Sequence, residues 1–291
     1  MRWQRGTSDR DIEDRRGRPS GGFGGVGGGR MRIGLGGLVV IGLLSLLFGQ
    51  DFFSLLGGLP ADPGTSVAVP PDRPVNQSAE EAELYEFVKF VVNDVQDTWT
   101  KLLPQQAGAQ YVRSTLVLYR DAVRSACGFA DASSGPFYCP GDRKVYIDLG
   151  FYDELRARFG ASGDFAQAYV IAHEFGHHIQ NVLGIDEQTR RAQRRRPDLQ
   201  NELSVRLELQ ADCLAGVWGH STAERKLLES GDVEEGLNAA AAIGDDRIQR
   251  MSGRAVQRDA FTHGSSAQRV AWFRRGLESG RFASCDTFGS Q

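Results

Sequence analysis

The sequence predicts an α+β domain, mainly helical with a small sheet, preceded by one transmembrane helix. Three observations carry this reading. Beyond residue 150 most of the chain has helical patterning, residues 112–119 and 144–149 are β-rich with partial alternation, and residues 33–49 carry no charge. The chain has 291 residues, 41% hydrophobic and 24% charged, which is ordinary globular usage with room for one large domain or two small ones. A net charge of −3 argues against a whole-protein electrostatic grip on nucleic acid, so no nucleic-acid partner is expected.

Charge divides along the chain. Residues 1–32 hold eight Arg against four acids, a net of +4, so the remainder carries −7. With eight Gly between Gly17 and Gly29 and few apolar residues, this stretch reads as a flexible tail. Its basic charge suits either a solvated tail or contact with anionic lipid. The uncharged run 33–49, extended by Phe52, Phe53, Leu55 and Leu56, reads as a transmembrane helix over 33–56, with membrane lipid as its partner. A cleaved signal peptide fits less well, because some 30 residues precede the run and no A-x-A site follows it. The Arg excess on the N-terminal side places the N-terminus in the cytoplasm and everything after residue 60 outside. Five Pro between Pro60 and Pro74 mark a linker over 57–77 ahead of a domain over 78–291.

That domain opens with Ser78-Ala-Glu-Glu81, a capping box. An amphipathic helix follows, with Leu84, Phe87, Val88, Val91, Val95 and Trp99 on one face, and Pro104 is expected to end it. All four cysteines lie beyond the uncharged run. An even number on an oxidising side suggests two disulfides. Cys127 and Cys139 flank a turn-rich segment suited to a local bridge, which leaves Cys213 for Cys285. A zinc site built from the cysteines is the alternative, without C-x-x-C spacing to support it. Cys213 as a buried free thiol in an apolar helix is another.

Residues 169–179, Tyr-Val-Ile-Ala-His-Glu-Phe-Gly-His-His-Ile, carry the chemistry. A helix from Asp164, a candidate cap, to Leu183, with Gly184 just past its end, places His173 and His177 on one face. Two imidazoles so placed suit one zinc ion per chain, because zinc accepts neutral imidazole nitrogen and tolerates an open fourth position. Glu174, rotated about 100° from His173, falls beside the metal as a general base for water rather than as a ligand. His178 points off that face and is expected to be a hydrogen-bonded neighbour. Two His leave the ion short of one protein ligand. Residues 206–218 are the best supplier, with Glu208 as ligand and Asp212, one turn on, accepting a hydrogen bond from a ligand His. Acidic pairs at this spacing are common on solvated faces, but this helix is mostly apolar after residue 207, so two acids there need a reason.

HEFGHHIQ, ELQADCLAGVW, GPFYCP, VYIDLGFY and THGSSAQRVAWFRRG, with the opening MRW and EDRRG, together resemble the bacterial neutral zinc metallopeptidase family (YpfJ-like). The resemblance covers nearly the whole chain. It implies a zincin-like fold in the bacterial inner membrane, hydrolysis of peptide or protein substrates, zinc held by His173, His177 and Glu208, and Glu174 as base. Thr262-His263-Gly264, ahead of Arg269, resembles the T-H-P…R segment of membrane zincins of the HtpX and CaaX-protease type. That implies a catalytic His263, donating to the oxyanion or covering the open site; a His that merely caps a helix is the alternative. His220 reads as structural or surface. Arg190, Arg191, Arg194, Arg195 and Arg196 read as a solvated face, with a preference for acidic substrates as the other reading. Three function classes follow: a membrane-anchored zinc endopeptidase, a catalytically inactive zincin that binds peptides or assists assembly, and a structural zinc protein. An intact Glu174 argues against the second, and the lack of an evident fourth ligand against the third.

Overall fold

The Ser78 hydroxyl accepts a hydrogen bond from the Glu81 amide at 3.1 Å and starts helix α1 (Ala79–Ala107). The Glu81 carboxylate does not reach back as a capping box would have it. It accepts instead from Arg16 at 3.0 Å and Arg120 at 2.6 Å. Helix α1 also runs through Pro104 and is capped by Gly108, whose φ of 66° favours a residue without a Cβ. Proline there removes bonding from the last turn alone, while Leu103 is fully buried and Leu102 and Ala107 pack on the core, so the turn holds. The computed structural model describes residues 1–17, 75–131, 134–161 and 163–289. The predicted transmembrane helix over 33–56 and nearly all of the linker lie outside the described residues. Among those described, no helix is long and apolar enough to cross a membrane.

A four-stranded sheet runs in the order β1 (Ile12–Asp14), β2 (Thr115–Tyr119), β6 (Lys144–Asp148), β5 (Phe137–Cys139). Strands β1, β2 and β6 are parallel, and β5 is antiparallel to β6. The two central strands match the segments read as β-rich. Leu116 to Leu118 and Val145 to Ile147 are buried on both faces, as parallel strands covered on each side must be. Strands β3 (Ala122–Ser125) and β4 (Gly128–Asp131) form a separate hairpin. A disulfide from Cys127 in its turn to Cys139 staples the hairpin to edge strand β5.

Seven helices follow: α2 (Gly150–Phe159), α3 (Asp164–Val182), α4 (Ile185–Arg195), α5 (Gln200–Glu224), α6 (Asp232–Ala242), α7 (Asp245–Met251) and α8 (Ser266–Ser279). The cap of α3 is Gly163, and Asp164 stands in its first turn, where a carboxylate suits the positive end of the helix dipole. Helices α3, α5 and α8 pack with their backbones nearly touching. A Cβ on Gly176 of α3 would stand 2.9 Å from the Ala211 carbonyl oxygen of α5, and one on Gly276 of α8 would stand 1.9 Å from that of Cys213. No other residue type fits either position without separating the helices. The disulfide Cys213–Cys285 ties the segment after α8 to the same stretch of α5.

The opening residues are where sequence reading fails. Residues 1–17 are not a flexible tail, because β1 completes the sheet and Trp3 packs edge-on against Phe87 at 5.5 Å. The Met1 amino group donates to both Asp164 oxygens at 2.5 and 2.6 Å and to Asp232 at 3.3 Å. Counting charge over a window treats Arg and acids as independent. Along β1 they are partners two residues apart, Arg15 with Glu13 and Arg16 with Asp14, so the demand for solvent is met locally. Arg16 is then buried, its side chain 2% exposed. Met1–Gly17 and Pro74–Gln291 form one compact unit. Strand β1 of the opening residues and strand β2 of the domain therefore belong to one sheet and one folded unit.

Labelling tests this directly, since all four native cysteines are disulfide-bonded. Single cysteines replacing exposed Arg5 and exposed Val256 should react alike with a membrane-impermeant maleimide in intact cells, both labelled or both protected. Labelling of one alone would mean that β1 does not pair with β2 in the cell.

Candidate metal centre

Helix α3 carries His173 and His177 one turn apart, and the close approach at Gly176 brings Glu208 of α5 opposite them. His173 Nε2 lies 3.3 Å from one Glu208 oxygen and His177 Nε2 lies 3.4 Å from the other. The three donors all fall within 4.8 Å of one another. Donors bound to a tetrahedral zinc at about 2.0–2.2 Å stand about 3.3–3.6 Å apart, so this set fits the ion. A second trio, Asp164, Asp232 and Glu235, is equally close, but the Met1 ammonium already serves as cation for two of its members.

Both ligand imidazoles are fixed from behind. His173 Nδ1 donates to Asp212 Oδ1 at 2.8 Å, and His177 Nδ1 to Gln180 Oε1 at 2.9 Å. Each bond assigns the proton to Nδ1 and leaves the Nε2 lone pair for a metal. Asp212 is fully buried and also accepts from Tyr169 at 2.5 Å and from Arg269 at 2.9 and 2.8 Å. Gln180 donates to Gln210 at 3.0 Å, and Gln210 donates to the Cys285 carbonyl at 3.0 Å, beside the disulfide. Tyr169, Gln180 and Gln210 escape the sequence reading. Gln180 sits three residues beyond His177, one helical turn, and that spacing was the available signal.

Burial pushes the His173 imidazole down, but Asp212 and Glu208 outweigh it and lift it to about 10 in the metal-free protein. His177 is likewise raised, burial opposing and Glu208 prevailing. Burial pushes the Glu208 carboxyl up, yet the two imidazoles hold it well below the usual carboxylate range. Glu174 goes the other way: burial raises it, and the imidazoles only partly offset that.

The remaining candidates fall as follows. His178 is buried away from the donors, bonded to the Tyr138 hydroxyl at 3.1 Å and to the Val112 carbonyl at 2.6 Å, so it ties α3 to the sheet. His220 donates to the Leu277 carbonyl at 2.8 Å and joins α5 to α8. His263 lies half exposed in the turn before α8, its Nδ1 3.2 Å from Asp245. Arg190, Arg191, Arg194 and Arg195 lie on α4, with Arg190 and Arg191 paired to Asp186 and Glu187 one turn earlier. Both disulfides occur in the expected pairing, which excludes a cysteine metal site and a free Cys213.

Two histidines on α3 and a glutamate on α5 form a candidate metal centre with HExxH spacing, here on an α+β scaffold. Residues 1–288 match the family described as "Putative neutral zinc metallopeptidase", and the chain belongs to that family. It is 45% identical over 292 residues to the uncharacterized protein YpfJ of Escherichia coli K12, covering 99% of each chain. It is 39% identical over 261 residues to the uncharacterized protein Rv2575 of Mycobacterium tuberculosis H37Rv, covering 84% of this chain and 85% of that one. No solved structure matches.

Metal loading should displace protons. Metal-free His173, raised to about 10, carries a proton at pH 7 that a metal ligand cannot keep, and the upward shift of His177 acts in the same direction. Titration calorimetry with zinc in buffers of different ionisation enthalpy should show net proton release at pH 7. The release should shrink as pH rises toward 10, where His173 is already losing its proton. Zinc uptake without proton release at pH 7 would contradict this centre.

Proposed function

We propose that this protein is a zinc-dependent endopeptidase held at a membrane, with one zinc on His173, His177 and Glu208. The observation that carries the reading is a three-donor set, its Nδ1 atoms tied off, beside a buried Glu174. The His177 and Glu208 side chains are 20% and 18% exposed, so the centre opens to solvent on one side. A structural zinc site closes with four protein ligands, whereas a catalytic one keeps three and an open position. That difference favours an enzyme over a structural zinc protein.

Bound zinc supplies Lewis-acid polarisation of water and of the peptide carbonyl. The chain's own groups do the rest. Glu174, made more basic by burial, takes the proton of the attacking water and passes it to the departing amine. Asp212 and Gln180 hold the imidazoles in register while charge shifts. His263, beside Glu208 in space, is the donor for the developing oxyanion. The uncharged run 33–49 is the membrane contact, with lipid as partner. Two disulfides favour an extracytoplasmic site for the folded unit, residues 1–17 included.

Purified Glu174→Gln protein should keep its zinc and lose about 10²–10⁴-fold in hydrolysis of a denatured protein such as casein. His173→Ala and His177→Ala should lose both metal and activity. Turnover of Glu174→Gln within a few-fold of the unsubstituted protein would rule out this mechanism. A zinc-loaded chain that binds peptides and cleaves none would instead identify an inactive, peptide-binding relative.

A further inference from the structure

The turn before α8 is held by a carboxylate that the reading above does not use. Asp245, at the first position of α7, is 8% exposed. Its Oδ2 accepts the backbone N–H groups of Thr262, His263 and Gly264 at 2.7, 2.7 and 3.0 Å. The Asp245 N–H donates to the Gly264 carbonyl at 2.9 Å. These bonds fix the turn, and the remaining oxygen, Oδ1, lies 3.2 Å from His263 Nδ1. One acid therefore fixes the backbone at His263 and, together with the Thr262 hydroxyl 3.0 Å from the same nitrogen, holds the ring.

The place of this turn gives the contact its meaning. A Cβ on Gly264 would lie 3.3 Å from Val205 and 3.2 Å from Leu209, the side chains three residues before and one after Glu208. Five residues beyond Gly264, Arg269 reaches Asp212 behind His173. His263 is thus carried onto the Glu208 side of the metal centre, and the two groups feel each other's charge. Its side chain is 52% exposed, so it is not packed into a core position. With Nδ1 on a carboxylate, the ring presents its opposite edge, Nε2, away from Asp245. A carboxylate partner also favours the doubly protonated ring, the only form in which both nitrogens donate.

We propose that Asp245 is a positioning residue that orients His263 and keeps its Nε2–H available as a hydrogen-bond donor to the oxyanion formed during peptide hydrolysis. The proposal rests on the peptidase reading and adds to it the group through which His263 is aimed. Asp245 touches no substrate; it acts through the ring.

The test compares Asp245→Asn, His263→Ala and the double variant in the full-length, zinc-loaded protein. Asn keeps an oxygen for the backbone N–H groups but cannot hold the charged ring. On a quenched fluorogenic peptide that the unsubstituted protein cleaves, Asp245→Asn should lower kcat about 10–100-fold, as loss of an outer partner does at metal sites. KM and zinc content should stay within about twofold. In the His263→Ala background the same change should cost nothing further, because its route is already gone. A purely structural Asp245 would lower kcat by the same factor in both backgrounds, and that additivity would overturn the proposal. A second measurement is independent of turnover. Nitrogen-15 NMR should show a protonated His263 Nδ1 whose shift moves in Asp245→Asn, and an unmoved shift would also overturn it. Should no peptide be cleaved at all, the peptidase reading fails, while the NMR comparison still decides whether Asp245 governs the ring.

Discussion

The buried carboxylate of Asp212 is the interaction on which the rest of the structure depends. It is fully buried, and such a charge is tolerable only when paired and hydrogen-bonded. Its partners come from two other helices: Tyr169 and His173 of α3, and Arg269 of α8. Arg269 is itself 2% exposed, so neither charge has water to fall back on. Removing one partner would leave the other uncompensated, a change that typically costs about 3–5 kcal/mol. The three helices are thereby locked in one arrangement, and that arrangement is the one that presents His173 to Glu208. Stability of the bundle and orientation of the candidate metal ligand His173 come from the same four groups.

Close packing makes this possible. The Asp212 network and the donor set lie on both sides of a helix contact in which Gly176 faces Ala211 and Gly276 faces Cys213. Larger residues would hold the axes further apart, and side chains as short as Asp and Glu would then fail to span the gap. The disulfide from Cys213 to Cys285 and the Gln180–Gln210 bonds fasten the same stretch of α5 from its other side. The candidate metal centre therefore hangs on a rigid three-helix frame and not on loops. His263, proposed to act beside it, is supplied instead by a turn whose backbone is bonded to Asp245.

At the other end of α3, the opening residues do similar work. The Met1 ammonium meets Asp164 in the first turn of α3 and Asp232 in the first turn of α6, two carboxylates that would otherwise repel. Strand β1 covers the edge of β2, and Arg16 links that strand to Glu81 at the start of α1. An edge left bare would expose unpaired backbone groups to any passing strand. This brings the start of the chain and its C-terminal three-quarters into one body.

The sequence by itself determined what depends on local spacing. His173 and His177 at one helical turn, Glu208 and Asp212 at another, the Ser78 cap, and the two buried strands are periodicities of a single element, readable without knowing its neighbours. Pairing of four cysteines was legible as well, because one close pair leaves only one other. Contacts between distant elements were decided by tertiary structure. Arg16 looked like tail charge because Glu81, its partner beyond neighbouring Asp14, lies on a helix that meets it only after folding. Pro104 looked like a stop because burial of Leu103 is not visible in the local pattern. Tyr169 and Asp245 carry no signature of their own, since a buried hydrogen bond is defined by both ends, and the other end lies 43 and 18 residues away. Chain spacing fixes which face a side chain occupies; only packing fixes what stands opposite it.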